Sequence, residues 1–165
     1  MDEFERLLNA YRSKGVLVDS NLLLLYFVGL FDPSRISTFK RTASFSAGDF
    51  HLLNKLLGQF HRVVTTPNIL TEVNSLSNQL PERAKETYYF VFSRVVTVLE
   101  EHYVRSAQAV TLPSFARFGL TDSAITELAR SQYLVLTDDL KLAIYLQTNG
   151  VDAINFNHLR VLNWQ

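Results

Sequence analysis

The chain has 165 residues, of which 47% are hydrophobic, 16 are basic and 16 are acidic, and it contains no cysteine. This length suits one domain with a substantial apolar core, and the hydrophobic fraction argues against disorder over most of it. The lack of cysteine excludes disulfides, cysteine-ligated zinc and a thiol nucleophile. The balanced charge neither indicates nor excludes a nucleic-acid partner.

No part of the sequence predicts a membrane segment. The N-terminus begins Met-Asp-Glu-Phe-Glu-Arg, which is acidic and lacks the apolar stretch of a secretory signal. The longest apolar run, 22–31, is about half as long as a bilayer-spanning helix requires. We therefore expect a cytoplasmic protein with no membrane partner.

Apolar periodicity and turn residues divide the chain into helices and strands. The predicted elements, in chain order, are helix 2–13, strand 16–18, helix 21–31, helix 49–60, strand 63–65, helix 67–79, helix 81–104, helix 122–132, strand 133–136, helix 139–148 and strand 151–155. Gly15 ends the first helix, and Thr66 with Pro67 supplies an N-cap and a first helical residue for the helix that follows them.

Three connecting segments are less regular. Residues 33–47 are rich in Ser, Thr and basic side chains, and we expect an exposed loop there. Segment 95–99 fits the end of a helix and a strand equally well, because its valines favour β-structure. Residues 106–118 are predicted to be a connector, and Thr121 is the expected N-cap of the helix after it.

Strands that alternate with helices predict an α/β class, with a central parallel sheet of four or five strands flanked by helices. We predict a helical extension over residues 1–14 and a single α/β domain over residues 15–165. In a parallel sheet the carboxyl ends of the strands meet at one edge, and that edge is where ligands bind.

Carboxylates follow two of the predicted strands directly. Asp19 comes after the apolar run 16–18, and Asp138 and Asp139 come after the run 133–136. Each of these acids, taken alone, is explained as a turn residue or a helix N-cap. Together they predict an acidic group at the carboxyl edge of the sheet.

Two further acids lie on predicted helices where a solvated charge is not expected. Glu72 falls within the apolar stripe formed by Ile69 and Val73, so its carboxylate should reach a partner rather than solvent. Asp122 lies on the same helix face as Ile125, although its place in a first turn is also explained by the helix dipole. We predict that both acids join the group formed by Asp19 and the Asp138–Asp139 pair.

A group of acids at one edge is costly unless a cation lies among them. Carboxylate oxygens without cysteine select Mg²⁺ or Mn²⁺ over zinc, and the chemistry this predicts is cleavage of a phosphodiester. The four histidines are scattered along the chain and do not pair as zinc ligands; they are His51, His61, His102 and His158.

Four stretches of the chain together resemble the PIN domain, a family of metal-dependent ribonucleases common in bacterial and archaeal toxin–antitoxin systems. The stretches are Val-Leu-Val-Asp19-Ser-Asn, Thr-Pro-Asn-Ile-Leu-Thr-Glu72, Gly-Leu-Thr-Asp122-Ser-Ala and Val-Leu-Thr-Asp-Asp139. The resemblance runs from about Val16 to Asn155. The helix over 2–13 and the large segments 32–60 and 81–104 depart from the compact toxins of the family.

The resemblance implies roles for individual residues. Asp19, Glu72, Asp122 and Asp139 would be the catalytic, metal-binding acids, and the fourth position is open between Asp139 and Asp138. Thr137 would orient the site, and the polar neighbours Ser20, Asn21 and Ser123 would support it. The implied activity is endonucleolytic cleavage of single-stranded RNA with Mg²⁺ or Mn²⁺ as cofactor, with an antitoxin protein and a homodimer as expected partners.

The phosphate backbone of such a substrate requires cations. Arg35, Lys40 and Arg41 in the polar loop are the first candidates, and ordinary solvated charges are the alternative explanation. Lys141, close to Asp139, is a further candidate.

Two other functions fit parts of the sequence. One is a non-catalytic interaction module of the same fold, in which the aromatic helix 81–104 forms a partner surface. The other is a phosphotransferase with Asp19 as the nucleophile. That chemistry requires a second Asp at the position occupied by Asn21, and it assigns no role to Glu72.

Overall fold

The computed structural model describes residues 2–163 and arranges their helices around one parallel sheet. The helices are α1 (Glu3–Tyr11), α2 (Ser20–Phe31), α3 (Ala47–Leu57), α4 (Pro67–Ser77), α5 (Glu82–Val96), α6 (Ser106–Ala109), α7 (Phe115–Ala129), α8 (Leu140–Thr148) and α9 (Phe156–Asn163). The strands are β1 (Val16–Val18), β2 (Val63–Thr65), β3 (Glu100–Glu101), β4 (Leu134–Thr137) and β5 (Ala153–Asn155).

The five strands form one sheet in the order β3-β2-β1-β4-β5, and every pairing is parallel. In the centre, Leu17 aligns with Val64 of β2 and with Val135 of β4. This confirms the predicted α/β class and the parallel sheet flanked by helices. Because the strands are parallel and in register, their carboxyl ends lie along one edge, which we call the carboxyl edge.

The core lies on both faces of β1 and around α2. All three residues of β1 are buried, as a central parallel strand requires. The four leucines that open α2, Leu22–Leu25, have no exposed area, which is why this helix is apolar nearly all round. A Cβ at Gly29 would lie 2.1 Å from the Phe50 ring, so α2 and α3 pack this closely only with glycine at that position.

Helix α1 packs against the same core. Leu7 and Tyr11 belong to the apolar cluster that surrounds the sheet, and the Tyr11 hydroxyl donates a hydrogen bond of 2.7 Å to Asp152 Oδ2. The division of the chain into an extension and a domain remains a prediction.

The structure differs from the sequence prediction in four places outside the site. The predicted connector 106–118 contains α6 and the beginning of α7. The loop over 33–47 is not fully exposed, because Ile36, Phe39 and Phe45 are buried in the core. Segment 95–99 is not a strand: Val95 and Val96 end α5, and the strand follows at Glu100–Glu101. The tail after β5, for which no element was predicted, forms α9.

In the part of the chain that the structure describes, no helix has the length and apolar character needed to cross a membrane.

Candidate metal centre

Asp19 lies at the carboxyl edge, between β1 and β4. Its backbone N–H donates to the Leu136 carbonyl at 3.0 Å, which extends the pairing of the two strands to this point. Its side chain is 7% exposed and caps α2 by accepting from the Leu22 N–H at 3.4 Å. The hydroxyl of Thr137 donates to the other carboxylate oxygen. The predicted role of Thr137, to orient the first acid, is consistent with this contact.

Glu72 is fixed by two hydroxyl groups. Ser20 Oγ donates to Oε2 at 2.7 Å, and Thr121 Oγ1 donates to Oε1 at 2.5 Å. These bonds connect α2, α4 and α7 through one carboxylate. Glu72 does reach partners as expected, but it is exposed at the rim of the edge and does not lie within a core-facing stripe.

A break in α7 brings Asp122 to the same edge. Gly119 has φ 86° and ψ −173°, and only glycine adopts this conformation without strain. No atom lies within 4 Å of a Cβ built at this position, so the backbone angles rather than space require glycine. Thr121 is not an N-cap as predicted, because the second stretch of α7 begins directly after Gly119, Thr121 already lies within it, and the Thr121 hydroxyl donates to Glu72 instead.

Asp138 and Asp139 differ in their surroundings. Asp139 caps α8, accepting from the N–H groups of Lys141 at 2.9 Å and Leu142 at 3.2 Å. Its own N–H donates to Thr137 Oγ1 at 3.0 Å. Asp138 Oδ1 is buried and has no hydrogen-bond partner among residues 2–163. The structure thus gives Asp139 a capping role and leaves Asp138 with an unsatisfied oxygen.

We call Asp19, Glu72, Asp122, Asp138 and Asp139 the acid cluster, because their charges act on one another. Burial, the neighbouring Asp138 charge and the Asp122 charge raise the pKa of Asp19 to about 8. Burial and the charges of Glu72 and Asp139 raise the pKa of Asp122 to about 7. The pKa of Asp138 is also raised, chiefly by burial, while interactions that include a hydrogen bond from Asn21 oppose this.

The acid cluster has no cationic partner in the described part of the chain. The ion pairs found within 4.0 Å there involve other acids. Among the described residues that influence the raised pKa values of Asp19, Asp122 and Asp138, the only cation is Arg160, which has the weakest influence on Asp138. The negative charge of this edge is therefore not balanced by the folded chain itself.

The remaining polar residues predicted for the site differ from one another in whether they contact an acid. Ser20 holds Glu72, as described above. Ser123 is buried and its hydroxyl bonds Ser114 Oγ at 2.9 Å, so it joins the segments on either side of the α7 break rather than contacting an acid. Asn21 is exposed beside Asp138.

The structure does not bring Arg35, Lys40 and Arg41 to the acid cluster. Arg35 follows the C-terminal end of α2, a helix of 12 residues that starts at the cluster, so it lies roughly 18 Å along the helix from Asp19. Arg41 Nε donates to Gln79 beyond the far end of α4 at 2.9 Å, and Lys40 is exposed in the same loop. Of the predicted substrate cations, only Lys141 lies near the carboxyl edge.

Two residues were not predicted to belong to the site. Thr121 donates a hydrogen bond to Glu72, and Arg117 is a second cation beside Lys141. Arg117 and Lys141 line one cleft between α7 and α8. Arg117 precedes the Gly119 break by two residues, in a segment that was predicted to be a connector without a role. The basic side chain was visible in the sequence, but no periodic pattern placed it beside α8.

The oxygen donors of the acid cluster fit a hard divalent cation, but in their present positions they do not converge on one ion. All side-chain donors are oxygens, and the buried, unpartnered Asp138 Oδ1 is the kind of atom that a cation would satisfy. No group of three or more Asp, Glu or His side chains within 2–163 is arranged so that it could hold one ion as it stands. An ion would therefore have to draw these carboxylates closer together.

The scan against protein-family models gives no match to this chain, and a search of curated proteins finds no similar sequence. A functional conclusion therefore depends on the residues and geometry of the site.

Proposed function

We propose that the protein is a Mg²⁺- or Mn²⁺-dependent endoribonuclease of the PIN type, which hydrolyses phosphodiester bonds of single-stranded RNA. Asp19, Glu72, Asp122 and Asp139 are the proposed metal-binding acids, with Asp138 as the alternative fourth ligand. The observation that carries the proposal is the meeting of five carboxylates from four separate segments at one edge, with no cation from the described chain to balance them.

The surrounding groups keep the acids in place. Thr137 holds Asp19, and Ser20 and Thr121 hold Glu72, so these carboxylates do not need to be reoriented for each turnover. Helices α2, α4 and α8 each follow a strand and point their N-termini to this edge. Their dipoles favour negative charge there, both on the acids and on a phosphate.

A bound divalent ion would activate water and stabilise the charge that develops on the phosphate. The carboxyl groups of Asp19 and Asp122 hold protons near neutral pH, because their pKa values are raised to about 8 and about 7. These protons must leave before both groups can act as ligands, so activity should increase as pH rises through this range.

Within this proposal the role in the cell is also open to test. A toxin held in check by an antitoxin protein, in the cytoplasm and as a homodimer, is the role that the resemblance implies. The rival interaction module is less well supported, because Tyr88 is buried and Tyr89 and Phe92 pack partly against the core. Phe90 is the exposed aromatic residue of α5, at 61%.

The decisive experiment measures cleavage of a single-stranded oligoribonucleotide by the purified protein with Mn²⁺, Mg²⁺ or EDTA. We expect cleavage only with the metal ions, and we expect Asp19→Asn and Asp122→Asn to reduce it by about 100-fold or more, as loss of one preorganised charge does in other enzymes. Glu82→Gln on the exposed N-terminus of α5 is the control and should leave activity unchanged. Equal activity in wild type and the Asn variants would refute the proposal.

A further inference from the structure

A cleft runs along the outer surface of α8. Its lining residues are Arg117, Lys141, Ile144, Tyr145, Thr148 and Asn149, and its volume is about 200 Å³. Four of these follow the helical spacing 141, 144, 145 and 148, so they form one stripe of α8. One end of the stripe is two residues after Asp139, and the facing Arg117 is five residues before Asp122.

The two cations of the cleft have no acid partner. None of the ion pairs within residues 2–163 includes Arg117 or Lys141. The Arg117 guanidinium instead lies 4.8 Å from the centre of the Phe118 ring, which fixes it over an aromatic face and leaves its donors available. Lys141 is exposed, and only its backbone N–H binds Asp139.

An aromatic surface lies beside these cations. The rings of Phe118 and Tyr145 are 5.1 Å apart between centroids, and both side chains are partly exposed. Unpaired cations next to an accessible aromatic ring are the combination that binds single-stranded nucleic acid, in which phosphates meet the charges and bases stack on the ring. A peptide with acidic side chains would use the charges but would leave the ring without a specific role.

The size of the cleft also limits the ligand. It is smaller than the roughly 300–1,000 Å³ of a typical small-molecule site. The cleft therefore fits one unit of a long ligand. The other units of that ligand would bind elsewhere, for instance at the acid cluster. A polynucleotide has this property, because each unit repeats the same phosphate and base.

We propose that this cleft binds a nucleotide next to the cleaved phosphodiester of a single-stranded nucleic acid, with Arg117 and Lys141 on its phosphate and Tyr145 against its base. This inference rests on the proposed nuclease function for the location of the cleaved bond, but not for the binding itself. The cleft would set the direction in which the strand crosses the site.

The test separates binding from cleavage. Fluorescence anisotropy with a labelled single-stranded oligoribonucleotide is measured in Mg²⁺ on an Asp122→Asn background, which stops cleavage. We expect Tyr145→Ala to weaken binding by about 10-fold, because stacking of one base contributes on this scale, and Tyr145→Phe to bind as the parent does. We expect the double variant Arg117→Ala, Lys141→Ala to flatten the dependence of log K on log salt by about 0.7, since both cations contact one phosphate and each neutralised phosphate of a single strand contributes about 0.7.

The matched control uses a similar pair on the opposite part of the molecule. Arg94 lies over the exposed ring of Phe90, 5.9 Å from its centre, as Arg117 lies over Phe118. Arg94→Ala and Phe90→Ala should leave affinity and salt slope unchanged. Thermal melting of every variant confirms that it is folded.

The following binding results overturn the inference. No binding by the parent protein, equal binding of a duplex of the same sequence, or competition by polyglutamate as strong as by the oligonucleotide would do so. Cleavage by the wild type combined with unaltered binding in the cleft variants would reject the cleft and leave the nuclease function intact. Binding that depends on the cleft without cleavage by the wild type would reject the nuclease function and retain the cleft.

Discussion

Two buried aspartates of this protein have opposite surroundings. Asp49, near the start of α3, is 1% exposed, and Arg160 Nη2 of α9 lies 2.8 Å from its Oδ2. The same oxygen accepts from the Ser46 N–H at 2.8 Å. Asp19 is 7% exposed, yet it has a hydroxyl, a backbone N–H and other carboxylates as neighbours.

This difference separates an acid that stabilises the fold from acids that we propose bind a metal ion. The chain supplies a guanidinium for Asp49 Oδ2, although Asp49 Oδ1, like Asp138 Oδ1, is buried without a hydrogen-bond partner among the described residues. The acid cluster receives no such partner from the described residues, and burial raises the pKa values of Asp19, Asp122 and Asp138 instead. Burial alone therefore does not indicate a site, whereas burial without a compensating cation does.

The largest expected effect on stability comes from breaking the Asp49 pair. Arg160→Ala leaves a buried carboxylate without its cation, which should lower the free energy of unfolding by about 3 kcal/mol. Urea titration at pH 7 measures this change, with the exposed Arg94→Ala as control at less than about 0.5 kcal/mol. If Arg160→Ala were as stable as wild type, Asp49 would not depend on the pair, and the contrast with Asp19 would be lost.

A somewhat smaller effect should appear when the missing cation is supplied to the acid cluster. Mn²⁺ at about 100 times its dissociation constant should stabilise the folded protein by about 2.7 kcal/mol, if it binds the folded state alone. Thermal melting with and without Mn²⁺ measures the shift. Asp19→Asn should abolish it, and Glu82→Gln should not. An unchanged melting temperature in wild type at millimolar Mn²⁺ would contradict a metal site.

The smallest effect concerns pH in the absence of metal. Asp19 ionises near pH 4 when unfolded and at about 8 when folded, so the folded state holds more protons between these values and stability falls as pH rises from 4 to 8. Asp19→Asn removes this loss, so its stability relative to wild type should increase by about 1.4 kcal/mol from pH 6 to pH 7. Urea titrations in EDTA at both pH values test this, and parallel curves for the two proteins would count against the raised pKa.

Much of the fold was accessible from the sequence because it depends on local pattern. The run Val16–Val18 and the apolar α2 could be placed from hydrophobicity alone, and Thr66 with Pro67 marked the start of α4. Strand β3 could not, because Glu100–Glu101 has no apolar alternation and is a strand only through its pairing with β2. Helix α9 was missed although Asn155 marks its start, since Asn155 Oδ1 accepts from the Asn157 N–H at 3.0 Å.

The candidate site was predictable in its acids but not in their supports. Asp19 and Asp139 stand at strand ends, and strand order brings them together. The bond from Thr121 to Glu72 joins positions 49 residues apart and depends on the break at Gly119, which apolar periodicity does not reveal. The Arg160–Asp49 pair spans 111 positions and is equally invisible to local reasoning.

The break at Gly119 also divides α7 into two stretches that carry different functional side chains. The turn before it carries Arg117 and Phe118, and the turns after it carry Thr121 and Asp122. Because Gly119 separates the two stretches, replacements before it can alter which ligand the protein binds, while the Asp122 carboxylate after it keeps its position. Under the proposed function, selection for new substrates would then act on residues 115–118 and leave the proposed metal-binding acids unchanged.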